Sequence, residues 1–247
     1  SSSATFGLGE VNQTTLTSAG DADIFLAKYA SNGALVWAKR AGGTSRDVTD
    51  RIAVDGSGNS YVTGFFRGTA TFGIGNPNEI TLTSASEDVF IAKYDSSGAL
   101  AWAKQTAGSG SDIADGFGIA VDGSGNIYVT GDFFGSVIFG PAEAKPTLLT
   151  SAGDSDFDIF FAKYDPSGAL IWARRAGGAT IDSASGIAVD GAGNSYVTGF
   201  FSNSTTFGLG ESGEATLVSA GIFDIFIAKF KAGNAVINCP ANSLQAA

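Results

Sequence analysis

The run DIFLAKY (residues 23–29) is apolar on both sides of a two-residue period: Phe25 and Tyr29 fall on one face, Ile24 and Leu26 on the other. An Asn-Gly pair, Asn32-Gly33, separates it from a second apolar run, GALVWAK (33–39), and that arrangement predicts a hairpin. Further on, IAVD and YVTGFF flank Gly56-Ser57-Gly58-Asn59, where glycine and asparagine supply the positive φ angles of a tight turn. The pattern predicts a second hairpin there. The segment from TFG through TLTSAG reads as a short β-excursion or long loop.

These elements recur. Phe6-Gly7 returns at Phe72-Gly73, Phe139-Gly140 and Phe207-Gly208, at spacings of 66, 67 and 68 residues. DIFLAKY returns as DVFIAKY (88–94), DIFFAKY (158–164) and DIFIAKF (224–230), and the Trp run as GALAWAK (98–104) and GALIWAR (168–174). IAVDGSGNSYVTGFF (52–66) returns at 119–134 and 187–201. The chain is therefore a tandem all-β array of roughly 67-residue units, each offering about four main strands. Strands apolar on both faces must be covered on both, so each small sheet should lie between two neighbours. A β-solenoid also stacks repeats, but its turns are shorter, at about 20–30 residues.

The string D-x-A-x-G-I-A-V-D-G-x-G-N-x-Y-V-T-G, near residues 112–131 and 182–199, resembles the SBBP family of β-propeller repeats. The resemblance covers about residues 4–238, with repeats at about 4–69, 70–136, 137–204 and a partial one at 205–238, ahead of a tail at 239–247. It implies four-stranded propeller-like sheets and the secreted or surface setting of bacterial proteins with such repeats. It implies no active site, because the family is defined by architecture.

The count of elements is uneven. DIFLAKY and the Trp strand occur four times if AVIN (235–238) is a degenerate last Trp strand, but IAVD and YVTGFF occur only three times. About three and a half repeats fall short of the four or more blades of a closed ring. Three readings stand: a piece of a longer polypeptide, an irregular short blade, or unlike ends that meet head to tail between subunits.

Composition narrows the function. With 14 basic and 24 acidic residues the net charge is −10, which disfavours nucleic acid and anionic membrane surfaces. No apolar run approaches the length of a membrane-spanning helix. The sequence opens on Ser1-Ser2-Ser3 without Met, as a trimmed N-terminus would. Cys239 is the only cysteine, so no intrachain disulfide exists, and the absence of histidine removes His-dependent triads and metal sites. GSGSDIADG (108–116) has the glycines of a phosphate loop but neither its strand-to-helix setting nor its Lys-Ser/Thr.

Carboxylates are what remain. Asp47, Asp112 and Asp182 precede each IAVD strand, and Asp55, Asp122 and Asp190 end it. Once-per-repeat placement favours turn Asx residues over a ring of Ca²⁺ loops. Asp154, Asp156 and Asp158 break the pattern and are the candidate Ca²⁺ ligands; Asp21 with Asp23 is a weaker version. The recurrent Trp37, Trp102 and Trp172, and the Phe pairs at 65–66, 133–134 and 200–201, read as inter-sheet core before sugar-binding surface. Lys28, Lys93, Lys163 and Lys229 are expected to pair with turn carboxylates. Asn12-Gln13-Thr14 and Asn203-Ser204-Thr205 fit the N-glycan acceptor pattern.

The sequence thus favours a secreted, non-catalytic structural or adhesive scaffold that self-associates. The alternatives are a lectin-like propeller with surface glycans as partners and an Asp/Tyr-dependent lyase.

Overall fold

The computed structural model describes residues 2–108, 113–153 and 156–231. Among them every regular element is a strand. A hairpin of β1 (Ser3–Phe6) and β2 (Thr14–Thr17) precedes a two-stranded sheet of β3 (Ile24–Tyr29) and β4 (Leu35–Ala41). A four-stranded meander follows: β5 (Asp47–Val54), β6 (Ser60–Phe72), β7 (Ile80–Tyr94) and β8 (Leu100–Gly108). The distal half of β6 pairs with the start of β7 as the equivalent of the first hairpin, Phe72 opposite Ile80 and Thr69 opposite Thr83.

The next meander is β9 (Ile113–Val121), β10 (Ile127–Phe134), then across the hairpin β11 (Ser136–Phe139)–β12 (Thr147–Thr150) to β13 (Asp158–Tyr164) and β14 (Leu170–Ala176). The last is β15 (Asp182–Val189), β16 (Ser195–Phe201), the hairpin β17 (Ser204–Phe207)–β18 (Ala215–Val218), and β19 (Asp224–Phe230). The degenerate Trp strand expected at 235–238 lies outside the described residues. The array therefore comprises two strands of a first blade, two complete blades and three strands of a fourth. Among the described residues no strand of the first blade pairs with one of the fourth. The two predicted hairpins of each unit are joined into one sheet by pairing of the YVTG and DIF strands.

Core formation follows from strands apolar on both faces. On one face, the Phe of each Phe-Gly landmark packs on the Phe of the DIF run in its own blade: Phe6 on Phe25, Phe72 on Phe90, Phe139 on Phe160 and Phe207 on Phe226, with ring centroids 4.9–5.1 Å apart. On the other, residues such as Ile24 and Leu26 of β3 are buried in one cluster with Val62, Phe66 and Phe90 of the next blade. Each blade is half of two interfaces.

The Trp residues close those interfaces. Trp37 donates through Nε1 to the Ser96 carbonyl in the outer turn of the second blade, and Trp102 to the Pro166 carbonyl in that of the third, both at 3.3 Å. The indoles lie on the glycines of these turns. A Cβ on Gly98 would stand 2.8 Å from Trp37, one on Gly168 2.9 Å from Trp102, and both glycines have φ above +80°. The excursion hairpins add a backbone link to the preceding blade. Gly42 pairs with Thr71, Thr106–Gly108 with Val137–Phe139, and Gly177 with Thr206.

Replacing Trp102 with Ala is expected to cost about 3 kcal/mol or more through the cavity left between blades. Gly168→Ala should destabilise as well, by collision with the same indole and a strained φ. Urea denaturation of each variant against wild type is the check, read as a lowered midpoint.

Candidate functional site

Three sets of aspartates carry the polar structure, two built into the repeat and one that breaks it. Asp55, Asp122 and Asp190 close the inner turns as Asx residues. One oxygen of Asp55 accepts the Ser57 and Asn59 amides at 2.9 and 3.0 Å; the other accepts the Asn59 side chain at 2.7 Å and the Tyr61 hydroxyl at 3.0 Å. Asp122 and Asp190 repeat the set with Tyr128 and Tyr196. These bonds hold the charged form, and all three carboxyls lie below the usual range, Asp190 at about 2. The structural reading of these residues holds, and Tyr61, Tyr128 and Tyr196 are engaged in the same turns.

The repeated lysines sit elsewhere than expected. Lys93, Lys163 and Lys229 lie over the rings of Tyr61, Tyr128 and Tyr196, 4.8–5.1 Å from the centroids, and only Lys229 approaches a turn carboxylate, Asp190 at 3.9 Å. Lys28, in the first blade, donates to the Ser96 carbonyl.

The second set joins consecutive blades. Asp47 accepts the Gly43 amide and Asp182 the Gly178 amide, each at 2.7 Å, fixing the glycine pair after one blade to the first strand of the next. Asp23 pairs with Arg40, and Asp158 with Arg175 at 2.9 Å. Burial dominates here and pushes Asp47 and Asp158 up to about 6 and Asp182 to about 7. The expected equivalence with Asp112 needs correction. Ala114 pairs with Phe133 as Asp47 does with Phe66 and Asp182 with Phe201, so the matching place in β9 is Ala114. Asp112 falls outside the described residues.

Of the candidate Ca²⁺ ligands, Asp154 lies outside the described residues. Asp158 is fully buried against Arg175 and also accepts the Ala152 amide at 2.8 Å. The Asp156 carboxylate stands beside Gly153 in the loop ahead of β13. Among the described residues no three or more His, Cys, Asp or Glu are grouped to hold a metal ion.

The third set is where the repeat is broken. Asp115 and Asp132 face each other across β9 and β10, at positions held by Val48 and Phe65 in the second blade and Ser183 and Phe200 in the fourth. Asp132 is buried and hydrogen-bonded to the Ser183 side chain of the next blade; burial pushes it up to about 6 against that bond. Burial, then Glu87, Asp132 and Asp50, raise Asp115 to about 7, with Arg67 opposing. Glu87 itself is buried in an ion pair with Arg67. A carboxyl pair of this kind retains a proton near neutrality, which makes it a candidate proton-exchanging group as well as a strain on the fold. Sequence reasoning missed it, although two signals were present: the extra Asp in GDFF, and the distance of Asp112 from IAV, two residues longer than that of Asp47 or Asp182.

Comparison with known proteins agrees with this architecture. Residues 36–64, 101–132 and 171–199 match the family described as Beta-propeller repeat (SBBP), so the chain carries β-propeller repeats at three places. Each match begins beside or within a Trp strand and ends in the YVTG strand of the next blade. An uncharacterized WD repeat-containing protein of Acanthamoeba polyphaga mimivirus is 25% identical over 232 residues, covering 84% of this chain. The chain spans 17% of that relative's length. No helix among the described residues is long and apolar enough to cross a membrane.

The buried carboxyls set a pH dependence. Groups raised on folding bind more protons in the native state between about pH 4 and 7, so stability falls as pH rises through that window. The turn aspartates, lowered on folding, lose their contribution as pH falls below about 4. The thermal midpoint should therefore peak near pH 4–5 and drop by several degrees by pH 7.5. Asp115→Asn should raise the midpoint at pH 7.5 and leave it nearly unchanged at pH 4.5. Calorimetry across that range checks both.

Proposed function

We propose that the chain is a non-catalytic, extracellular propeller-repeat scaffold that assembles head to tail through its two terminal faces. One observation carries this reading: the ends present the two unlike halves of an interface that occurs three times within the chain. Ile225 and Ile227 of β19 are 65% and 61% exposed, whereas their equivalents Val89 and Ile91 are 1% and 2% exposed, and Ile159 and Phe161 0% and 1%, beneath the following blade. At the other end Phe25 is 59% exposed, whereas Phe90 and Phe160 are fully covered and Phe226 nearly so, with the preceding blade against them. The face of β19 is of the kind that β3-type faces cover, and the reverse.

Each such apolar side chain contributes about 1.5–3 kcal/mol when removed from water, so a few per face favour association. A heterologous contact of this type repeats without using up either end, and yields a ring or a filament. The partner in this reading is a second copy of the chain. The exposed hydroxyl pairs of the excursion hairpins, Ser3–Thr17, Thr5–Thr15 and Thr71–Thr81 among them, support a surface in contact with water, and the extracellular setting is the one that the resemblance to bacterial repeats of this kind implies. A non-catalytic role is supported by the engagement of the repeated aspartates in turns and joins between blades.

Sedimentation velocity over a wide concentration range tests the proposal. The wild type should form species larger than a dimer, and Ile227→Asp and Phe25→Asp should each be monomeric alone. Mixed, the two variants should form a heterodimer and stop there, because each retains one intact face. A wild type that stays monomeric at millimolar concentration would sink the idea.

A further inference from the structure

The three internal junctions between blades are alike in backbone but not in how they are filled. At each, the excursion hairpin of one blade turns a strand edge toward the Trp strand of that blade, beneath the Phe-Gly loop of the next. At the second junction the Gln105 carboxamide fills this space, accepting the Thr83 amide at 3.2 Å and donating to the Thr83 carbonyl at 2.9 Å. At the third, Arg175 donates to the Thr150 carbonyl at 3.2 Å, and Arg174 forms an ion pair with Glu211 of the next blade.

The first junction has neither plug. Arg40 stands where Gln105 and Arg175 stand and pairs with Asp23 as Arg175 does with Asp158, but among the described residues it makes no bond to the Thr17 carbonyl like that of Arg175 to Thr150. The amide and carbonyl of Thr17, equivalent to those of Thr83, meet no partner among the described residues. Asn76 replaces the acid present as Glu143 and Glu211 in the later loops, so Lys39 has no carboxylate where Arg174 has one. What remains is a cavity of about 330 Å³ lined by Thr17, Lys39, Arg40, Asn76 and Tyr94, among others. The Tyr94 hydroxyl, buried beside Gly73, has no acceptor for its proton.

The geometry points to a binding site for a small carboxylate-bearing molecule, of about monosaccharide size, in this cavity. Its lining is rich in donors: the Lys39 ammonium, the Thr17 amide, the Asn76 side-chain NH₂ and the buried Tyr94 hydroxyl, beside the Thr17 carbonyl and the Asn76 Oδ1 as acceptors. With Arg40 neutralised by Asp23, Lys39 gives the cavity a net positive charge in a chain of net charge −10. That combination selects one negative charge with hydroxyl groups around it, as in a hexuronic acid. The later junctions satisfy the same backbone edge from within the chain, through Gln105 at the second and Arg175 at the third.

Titration with sodium glucuronate, followed by isothermal calorimetry or by NMR shifts of the Thr17 and Gly73 amides, tests this site, with glucose as the uncharged control. Saturable binding of glucuronate is expected, at least about tenfold tighter than glucose. Asn76→Glu supplies Lys39 with the partner that Arg174 has, and Lys39→Gln removes the charge. Each should abolish the preference for glucuronate while leaving the thermal midpoint within a few degrees of wild type. Absence of binding to the wild type, equal binding of glucose, or undiminished binding by folded Asn76→Glu would each overturn the assignment.

Discussion

The structure depends on one constraint: the DIF strand of every blade is apolar on both faces, so no blade can shield itself. Phe90 and Phe160 face back, Ile91 and Phe161 face forward, and all are buried only because a neighbour lies on each side. The remaining devices serve that stacking. The Trp indoles rest on glycine turns of the next blade, the excursion hairpins bond the tail of the blade before, and Asp47 and Asp182 tie the connecting glycine pairs down. Hydrophobic area supplies the stability; the polar contacts set the register in which it is buried.

Much of this was legible in the sequence because repetition averages out local ambiguity. One DIFLAKY is an apolar heptapeptide; four at nearly constant spacing, each but the last followed by a Trp run, are strands of equivalent sheets. The Asx role of Asp55, Asp122 and Asp190 was readable for the same reason, since D-G-x-G-N carries its own turn chemistry. Departures from the repeat were harder. Asp112 looked equivalent to Asp47 because both are acidic and precede IAVD, yet strand register, which pairs residues by count, put Ala114 in that place. The Asp115–Asp132 pair depends on which residues oppose each other across two strands, a relation invisible along one. The lysines were misjudged for another reason: their nearest attractive surface is the ring face of a tyrosine whose hydroxyl already occupies the carboxylate.

The electrostatics divide along the same line. Carboxylates that recur in turns are exposed enough to stay charged and are stabilised by backbone amides. Asp47, Asp115, Asp132 and Asp182, at or between blades, lie where water is excluded, and burial raises them despite the hydrogen bonds or charges that oppose it. A scaffold gains little from a cross-strand pair of buried acids such as Asp115 and Asp132. The match to β-propeller repeats fits the stacking, and within the chain this pair departs from the equivalent positions of the second and fourth blades.

The backbone links between neighbouring blades bear on how the chain reaches its fold. Gly42 pairs with Thr71 and Gly177 with Thr206, separations of less than half a repeat, and among the described residues strand pairing between blades joins neighbours. Among the described residues no strand pairing joins the first blade to the fourth, the long-range closure whose entropy slows the folding of a closed ring. Folding can begin at any one junction and spread in both directions, each new blade settling on a surface already formed. Such an array would acquire its structure progressively as the chain is extended during synthesis.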